Sequence, residues 1–167
     1  MARIIEPILD NASSPSSTLA EFYRFAVLLT GHIGRAEQVM ADTLAKAESE
    51  IAQIRNETSR RAWFATRIRE RCLGDEAHAE AAPRLLREEE QQTTQLEMLE
   101  IEAYLIAQRF HQLAEPGRSA LALFYLDSFT NADIAKLLKL QEHELAEALG
   151  GARAQLQDLL RGSRSAS

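Results

Sequence analysis

Residues able to do chemistry gather at two places in this 167-residue chain. One is a run of arginines around the single tryptophan: Arg60, Arg61, Arg67, Arg69 and Arg71 beside Trp63. Guanidinium groups next to an aromatic ring suit a single nucleic-acid strand, whose bases stack on the ring while its phosphates pair with the charges. The same residues also describe a helix with its tryptophan in the core and its arginines in water. The other place is the segment FTNADIAKLLKLQEHELAEALGGARAQLQDLL. A helix-turn-helix needs a small residue where its helices touch, a tight turn about four residues on, and an aliphatic residue about six beyond that. Ala135, Lys139 and Leu145 stand at those places. Lys139 takes the turn position usually given to glycine, which reaches positive φ without strain.

Other chemistry has no carrier. The sequence contains no GxxxxGK[ST], GxGxxG, HExxH or GxSxG motif. His32, His78, His111 and His143 are scattered, and no two are four residues apart on a helix face. Glu76, His78 and Glu80 alternate, so they do not share a helix face either, and a solvated acidic stretch explains them. Glu88, Glu89 and Glu90 read the same way. Cys72 follows Arg69 and Arg71, but a lone Cys beside an apolar stripe is more often packed than reactive. We therefore expect no catalytic residues, no metal and no cofactor, and a protein that is not an enzyme.

The elements that would position the two chemical segments are helical. Phe22, Phe25, Ala26 and Leu29 form one stripe before Gly31. Val39, Met40, Thr43, Leu44 and Ala47 form a second, and Trp63, Phe64 and Ile68 mark a third. Leu121, Phe124 and Tyr125 suggest another stripe, followed by Thr130 as an N-cap for the next helix. A last helix carries Leu145, Ala148, Leu149, Ala152, Leu156, Leu159 and Leu160. No useful strand alternation appears. The expected fold is all-α: two small helical bundles joined by an acidic linker, the second containing the helix-turn-helix. The divisions are a mobile lead-in at 1–18, a first bundle at 19–75, the linker at 76–100, a second bundle at 101–162 and a tail at 163–167.

Composition narrows the class. The net charge is −6, which argues against a generic nucleic-acid coat. Counted by zone, however, residues 1–75 carry ten basic and ten acidic groups, and residues 116–167 carry six of each. The whole excess lies in residues 76–115, so overall charge excludes little. One cysteine rules out a disulfide framework and suits a reducing compartment. The longest apolar run, Ala120 to Leu126, is far short of the roughly 20 residues that span a bilayer. With no signal-peptide core at the start, a soluble cytoplasmic protein without a membrane partner is expected.

The segment LAEPGRSALALFYLDSFTNADIAKLLKLQEHELAEALGGARAQLQDLL resembles the C-terminal promoter-binding domain of extracytoplasmic-function (ECF) sigma factors. EFYRFAVLLTGHIGRAEQVMADTLAKA and RRAWFATRIRERCL resemble the family's N-terminal domain, which holds the polymerase clamp and melts promoter DNA. The three stretches cover 89 of 167 residues, in the family's order. The resemblance implies promoter recognition with core RNA polymerase and promoter DNA as partners, and an anti-sigma factor as a possible third. Gln38, Ala41 and Asp42 then fall on the polymerase-binding positions. Arg60, Arg61, Trp63, Arg67, Arg71, His143, Glu147 and Arg153 fall on the DNA-binding ones.

Departures from the family pattern sit on those functional faces. Where the family reads KSRLHRAR, this chain reads AEALGGAR, so Arg153 is the one basic residue left in the stretch. Glu142, Glu144 and Glu147 add carboxylates at the start of the helix that should enter the major groove. One Glu can accept from cytosine N4, but three would repel the backbone. Gly150 and Gly151 in mid-helix cost on the order of 1 kcal/mol each relative to Ala and could kink or end it. Gln38 replaces a clamp-binding acid, and an amide pairs with arginine less strongly than a carboxylate does. The leading expectation is an ECF-like sigma factor acting in transcription initiation. The alternative is a sigma-like mimic that binds a regulator such as an anti-sigma factor and has lost promoter affinity.

Overall fold

In the computed structural model, residues 15–74, 105–126 and 128–164 are described, and every regular element among them is helical. Helix α1 (Pro15–Thr30) begins on a proline, whose missing N–H costs nothing at the first helical position. It starts inside the serine-rich stretch expected to be a mobile lead-in. Its stripe is buried as the spacing predicts: Phe22, Phe25, Ala26 and Leu29 are at most 4% exposed. Fully burying a Phe or Leu side chain is worth roughly 1.5–3 kcal/mol, so this stripe anchors the first block. Gly31 ends α1 at φ +65°, with its N–H donating to Val27 O at 2.8 Å.

Helix α2 (Ile33–Glu50) follows directly, its first turn capped by His32 Nδ1, which accepts from Arg35 N at 3.3 Å. A 3₁₀ turn (Ile51–Gln53) reverses the chain, and Asn56 Oδ1 accepts from Ser59 N at the head of α3 (Glu57–Gly74). The three helices pack on one another around Ala36, Val39, Met40, Phe64, Ala65, Ile68 and Cys72. Cys72 is packed at 1% exposed.

The second block comprises a helix whose described part is residues 105–111 (α4), α5 (Gly117–Phe124), α6 (Asn131–Leu138) and α7 (Glu142–Arg164). Helix α5 packs against α1, α6 and α7. It is consequently buried around most of its circumference, including Ala120, Leu121, Ala122 and Leu123. This corrects the expected stripe of Leu121, Phe124 and Tyr125. Leu121 is buried, but Phe124 and Tyr125 are exposed at the end of the helix. Gly117 lets α5 approach α7, since a Cβ there would lie 3.0 Å from Ala152 Cβ and 3.1 Å from Ala148 O.

Helix α7 continues without a break across Gly150 and Gly151 and on to Arg164, into the expected tail. Leu145, Leu149 and Ala152 face the core, while Leu160 is exposed. The apolar clusters of the two blocks are continuous, from Phe22 through Phe110 and Leu121 to Ala152. The acidic linker at 76–100, with Glu76, His78, Glu80 and Glu88–Glu90, lies outside the described residues.

Two glycines should respond in opposite ways. At Gly31 a Cβ would sit 2.8 Å from His111 Cβ, on a left-handed backbone. Gly31→Ala is expected to lose about 2 kcal/mol of stability in urea unfolding. A Cβ at Gly150 meets nothing within 4 Å, so Gly150→Ala should gain about 1 kcal/mol.

Candidate interaction surfaces

Helix α3 carries its arginines on faces that the rest of the chain already occupies. Arg61 Nη1 donates to Ser128 Oγ at 2.9 Å and Nη2 lies 3.4 Å from Glu57. Ser128 Oγ in turn donates to Glu21 Oε2 at 2.7 Å, so one hydroxyl joins α1, α3 and the loop before α6. Arg69 Nε donates to Ser119 Oγ at 2.9 Å, and its Nη2 lies 3.6 Å from Glu115 Oε2. Arg60 Nε donates to Ile54 O at 2.6 Å. Each bond holds a guanidinium that a nucleic-acid strand would require.

Trp63 is half-buried, edge-on to Phe64 with centroids 5.2 Å apart. Its indole N–H donates to Glu50 Oε2 at 3.1 Å, and Arg67 Nη2 donates to the same oxygen at 3.0 Å. Arg67 lies 5.7 Å over the indole ring and also reaches Glu70 at 3.0 Å. The Trp63 hydrogen bond, with Arg67 beside it, pulls the Glu50 carboxyl below its ordinary pKa. Glu70 and Glu50 together push Arg67 up. Trp63 and Arg67 do meet as the stacking reading requires, but two carboxylates share the surface.

On α2, Gln38, Ala41 and Asp42 fall at i, i+3 and i+4 and all are exposed on one face. Asp42 Oδ2 accepts from Arg71 Nη1 at 2.9 Å. The structure therefore brings the three expected polymerase-binding residues together with Arg71. The last residue had been assigned to DNA by the resemblance, and its guanidinium here serves the carboxylate.

The turn between α6 and α7 is built from local rules. Thr130 and Asp133 form a reciprocal capping box: Thr130 Oγ1 accepts from Asp133 N, and Asp133 Oδ2 accepts from Thr130 N at 3.0 Å. The Thr130 hydroxyl also donates to Asp133 Oδ2 at 2.7 Å, and this side-chain bond, followed by the bond from Thr130 N, holds the Asp133 carboxyl below its ordinary pKa. Lys139 adopts the left-handed conformation, φ 56° and ψ 40°, as its turn position predicts. Leu140 N then donates to Ala135 O at 2.9 Å, closing the helix end. Ile134, Ala135, Leu138 and Leu145 are buried between the two helices.

Helix α7 turns an acidic face outward. Glu142, His143, Glu144, Ala146 and Glu147 are all exposed. Glu144 Oε2 accepts from Gln141 N at 2.7 Å, and carboxylates also suit the positive end of a helix dipole. Arg153 is folded back, its guanidinium 4.6 Å over the exposed Phe124 ring. His143, Glu147 and Arg153 thus share one helix without forming a basic surface.

Sequence reasoning missed the residues that join the blocks: Glu21, His111, Glu115, Arg118, Ser119 and Ser128. His111 Nδ1 lies 2.7 Å from Leu29 O, and Arg118, 4% exposed, donates through Nε to Glu115 Oε1 at 2.9 Å. Glu115, Arg118 and Ser119 have helical spacing, a local signal. Nothing local relates Ser119 to Arg69, fifty residues away.

The Glu50 cluster is directly testable. Replacing Trp63 by Phe removes the largest cause of the lowered carboxyl pKa, so the Glu50 midpoint read by NMR should rise in Trp63→Phe. In the wild type, the Glu50–Trp63–Arg67 contribution is present at neutral pH. It is lost as pH falls through the lowered folded-state midpoint.

No protein-family model matches the chain, and no curated protein matches it. Among solved structures it is similar to the sigma factor RpoE from Bartonella quintana, crystallised in complex with the anti-sigma factor NepR. The TM-score is 0.60 at 20% identity, over 86% of this chain and 92% of that one. No helix among the described residues is long and apolar enough to cross a membrane. The all-helical architecture, its order of elements and this likeness agree: the chain has the fold of an ECF sigma factor.

Proposed function

We propose that this chain is a sigma-fold transcription regulator that acts by engaging another protein, an anti-sigma factor or one of that kind, and does not itself read promoter DNA. The observation that carries this reading is the outward face of α7. Over its first two turns that face exposes Glu142, Glu144 and Glu147 and no Lys or Arg. A groove-reading helix gains affinity by releasing counterions from phosphates, and each carboxylate at that surface works against it. Arg153, the basic residue nearest the expected contacts, stacks on Phe124. The arginines of α3 support the same reading, since Arg61, Arg67, Arg69 and Arg71 all meet carboxylates of this chain. The neighbouring RpoE was captured with an anti-sigma factor, which makes that class the natural partner to test.

A promoter-reading, polymerase-bound sigma factor is the second reading. One observation favours it: the α6–α7 turn is well formed and leaves the start of α7 exposed, where a reader would be. Gln38, Ala41 and Asp42 would then face the polymerase clamp. Both readings place the protein with the transcription machinery of the cytoplasm, and neither gives it catalytic work.

The two separate in a pair of measurements. The wild type should show no saturable duplex binding by fluorescence anisotropy at about 50 mM salt, where phosphate contacts are strongest. Glu142→Arg with Glu147→Arg should bind duplex saturably under the same conditions, because the fold already presents the helix. Glu144 is left in place because it caps Gln141. Promoter-specific transcripts from wild-type protein with core RNA polymerase would overturn the protein-binding reading.

A further inference from the structure

A small cleft opens where the two blocks meet, and the function proposed above makes no use of it. It encloses about 150 Å³ and is lined by Ala65, Thr66, Arg69 and Glu70 of α3, Leu123 of α5, and Leu137, Leu138 and Lys139 at the end of α6. Its floor is apolar and buried at Ala65, Leu123 and Leu138, while Glu70 and Lys139 stand exposed at the mouth. Its aliphatic wall of Ala65, Leu123, Leu137 and Leu138 stands opposite the polar Thr66, Arg69, Glu70 and Lys139, and the volume is of the order that a benzene-sized body fills.

Two of the three charged side chains that line it have ion-pair partners. Glu70 is held by Arg67 at 3.0 Å, and Arg69 faces Glu115 at 3.6 Å. The Lys139 ammonium has no ion-pair partner among the described residues. Lys139 is also the one non-glycine residue with positive φ among them. A left-handed lysine costs stability that glycine at the same position would not. A strained, unpaired cation at the mouth of an apolar cleft, beside the Thr66 hydroxyl, is a recognition arrangement for an anion with a small hydrophobic body.

We infer that this cleft binds a small amphipathic monocarboxylate, its body against Leu123, Leu137 and Leu138 and its carboxylate on Lys139 and Thr66. One unbalanced positive charge matches a carboxylate better than a phosphate dianion. Because the walls come from both blocks, the occupant binds only their packed arrangement and stabilises it. The site thereby couples a metabolite-sized ligand to the relative placement of the two halves of a sigma fold.

The test uses the full chain and sodium benzoate as the probe, with benzamide as its neutral counterpart. Benzoate should bind saturably with a dissociation constant on the order of 1 mM or tighter. It should shift the NMR signals of Thr66, Leu123, Leu137 and Lys139 and raise Tm. Benzamide should bind at least tenfold more weakly. Lys139→Gly removes the ammonium and relieves the backbone, so it should lose at least tenfold in benzoate affinity while its unliganded Tm equals or exceeds the wild type. Absence of saturable benzoate binding overturns the site. So does equal affinity for benzamide, or undiminished benzoate binding by the folded Lys139→Gly protein.

Discussion

Arg118 carries a charge into the seam between the two helical blocks, and the structure around it is arranged to keep that charge paired. Its side chain is nearly inaccessible, so an unpaired guanidinium there would cost several kcal/mol. Glu115 Oε1 accepts from Arg118 Nε and from Ser119 Oγ, each at 2.9 Å, and His111 O accepts from Arg118 Nη1 at 3.0 Å. Ser119 passes the chain of contacts to Arg69 on α3. His111 Nδ1 is within reach of both Leu29 O and Arg118 Nη1, which ask opposite things of it. The tautomer that donates to the carbonyl leaves Arg118 to the backbone oxygen of His111. Among the described residues Glu115 Oε2 makes no hydrogen bond, and Arg69 Nη2 approaches it at 3.6 Å. Gly31 permits this junction, since a side chain there would strike His111.

Docking of the blocks decides what the functional faces can do. Arg61 and Arg69 point into the seam and bond to Ser128 and Ser119, so their donors are directed within the chain rather than outward. Arg71 and Arg67 remain near the surface but are offset by Asp42, Glu50 and Glu70. Surface pairs of this kind contribute little stability each. Their effect here is on recognition: they lower the positive potential that would attract a nucleic-acid strand. The acidic start of α7 does the same on its exposed face. A sigma fold is thus retained while α3 and the start of α7 present little unpaired positive charge.

Much of the scaffold was legible in the residues. Phe22, Phe25, Ala26 and Leu29 are buried because their spacing puts them on one side of a helix that has a partner. Thr130 caps α6 and Lys139 turns left-handed because capping and turn chemistry depend on a few neighbouring residues. The stripe containing Phe124 and Tyr125 misled because α5 is packed by three helices, and its end faces solvent where Phe124 receives Arg153. The Gly150–Gly151 pair misled in the other direction. Apolar contacts of Leu145, Leu149 and Ala152 hold α7 together across it, outweighing a weak local propensity.

The sequence by itself determined the helical class, the buried stripe of α1, the turn before α7 and the acidity of that helix, since each depends on spacing or on charge count. The tertiary structure alone decided which arginines remain available for a partner. Whether Arg61 meets a phosphate or Ser128, and whether Arg69 faces solvent or Glu115, depends on side chains dozens of residues away brought within 4 Å by docking of the blocks. Coulomb and hydrogen-bond energies depend on distance in space, and separation along the chain carries no information about that distance once a fold closes.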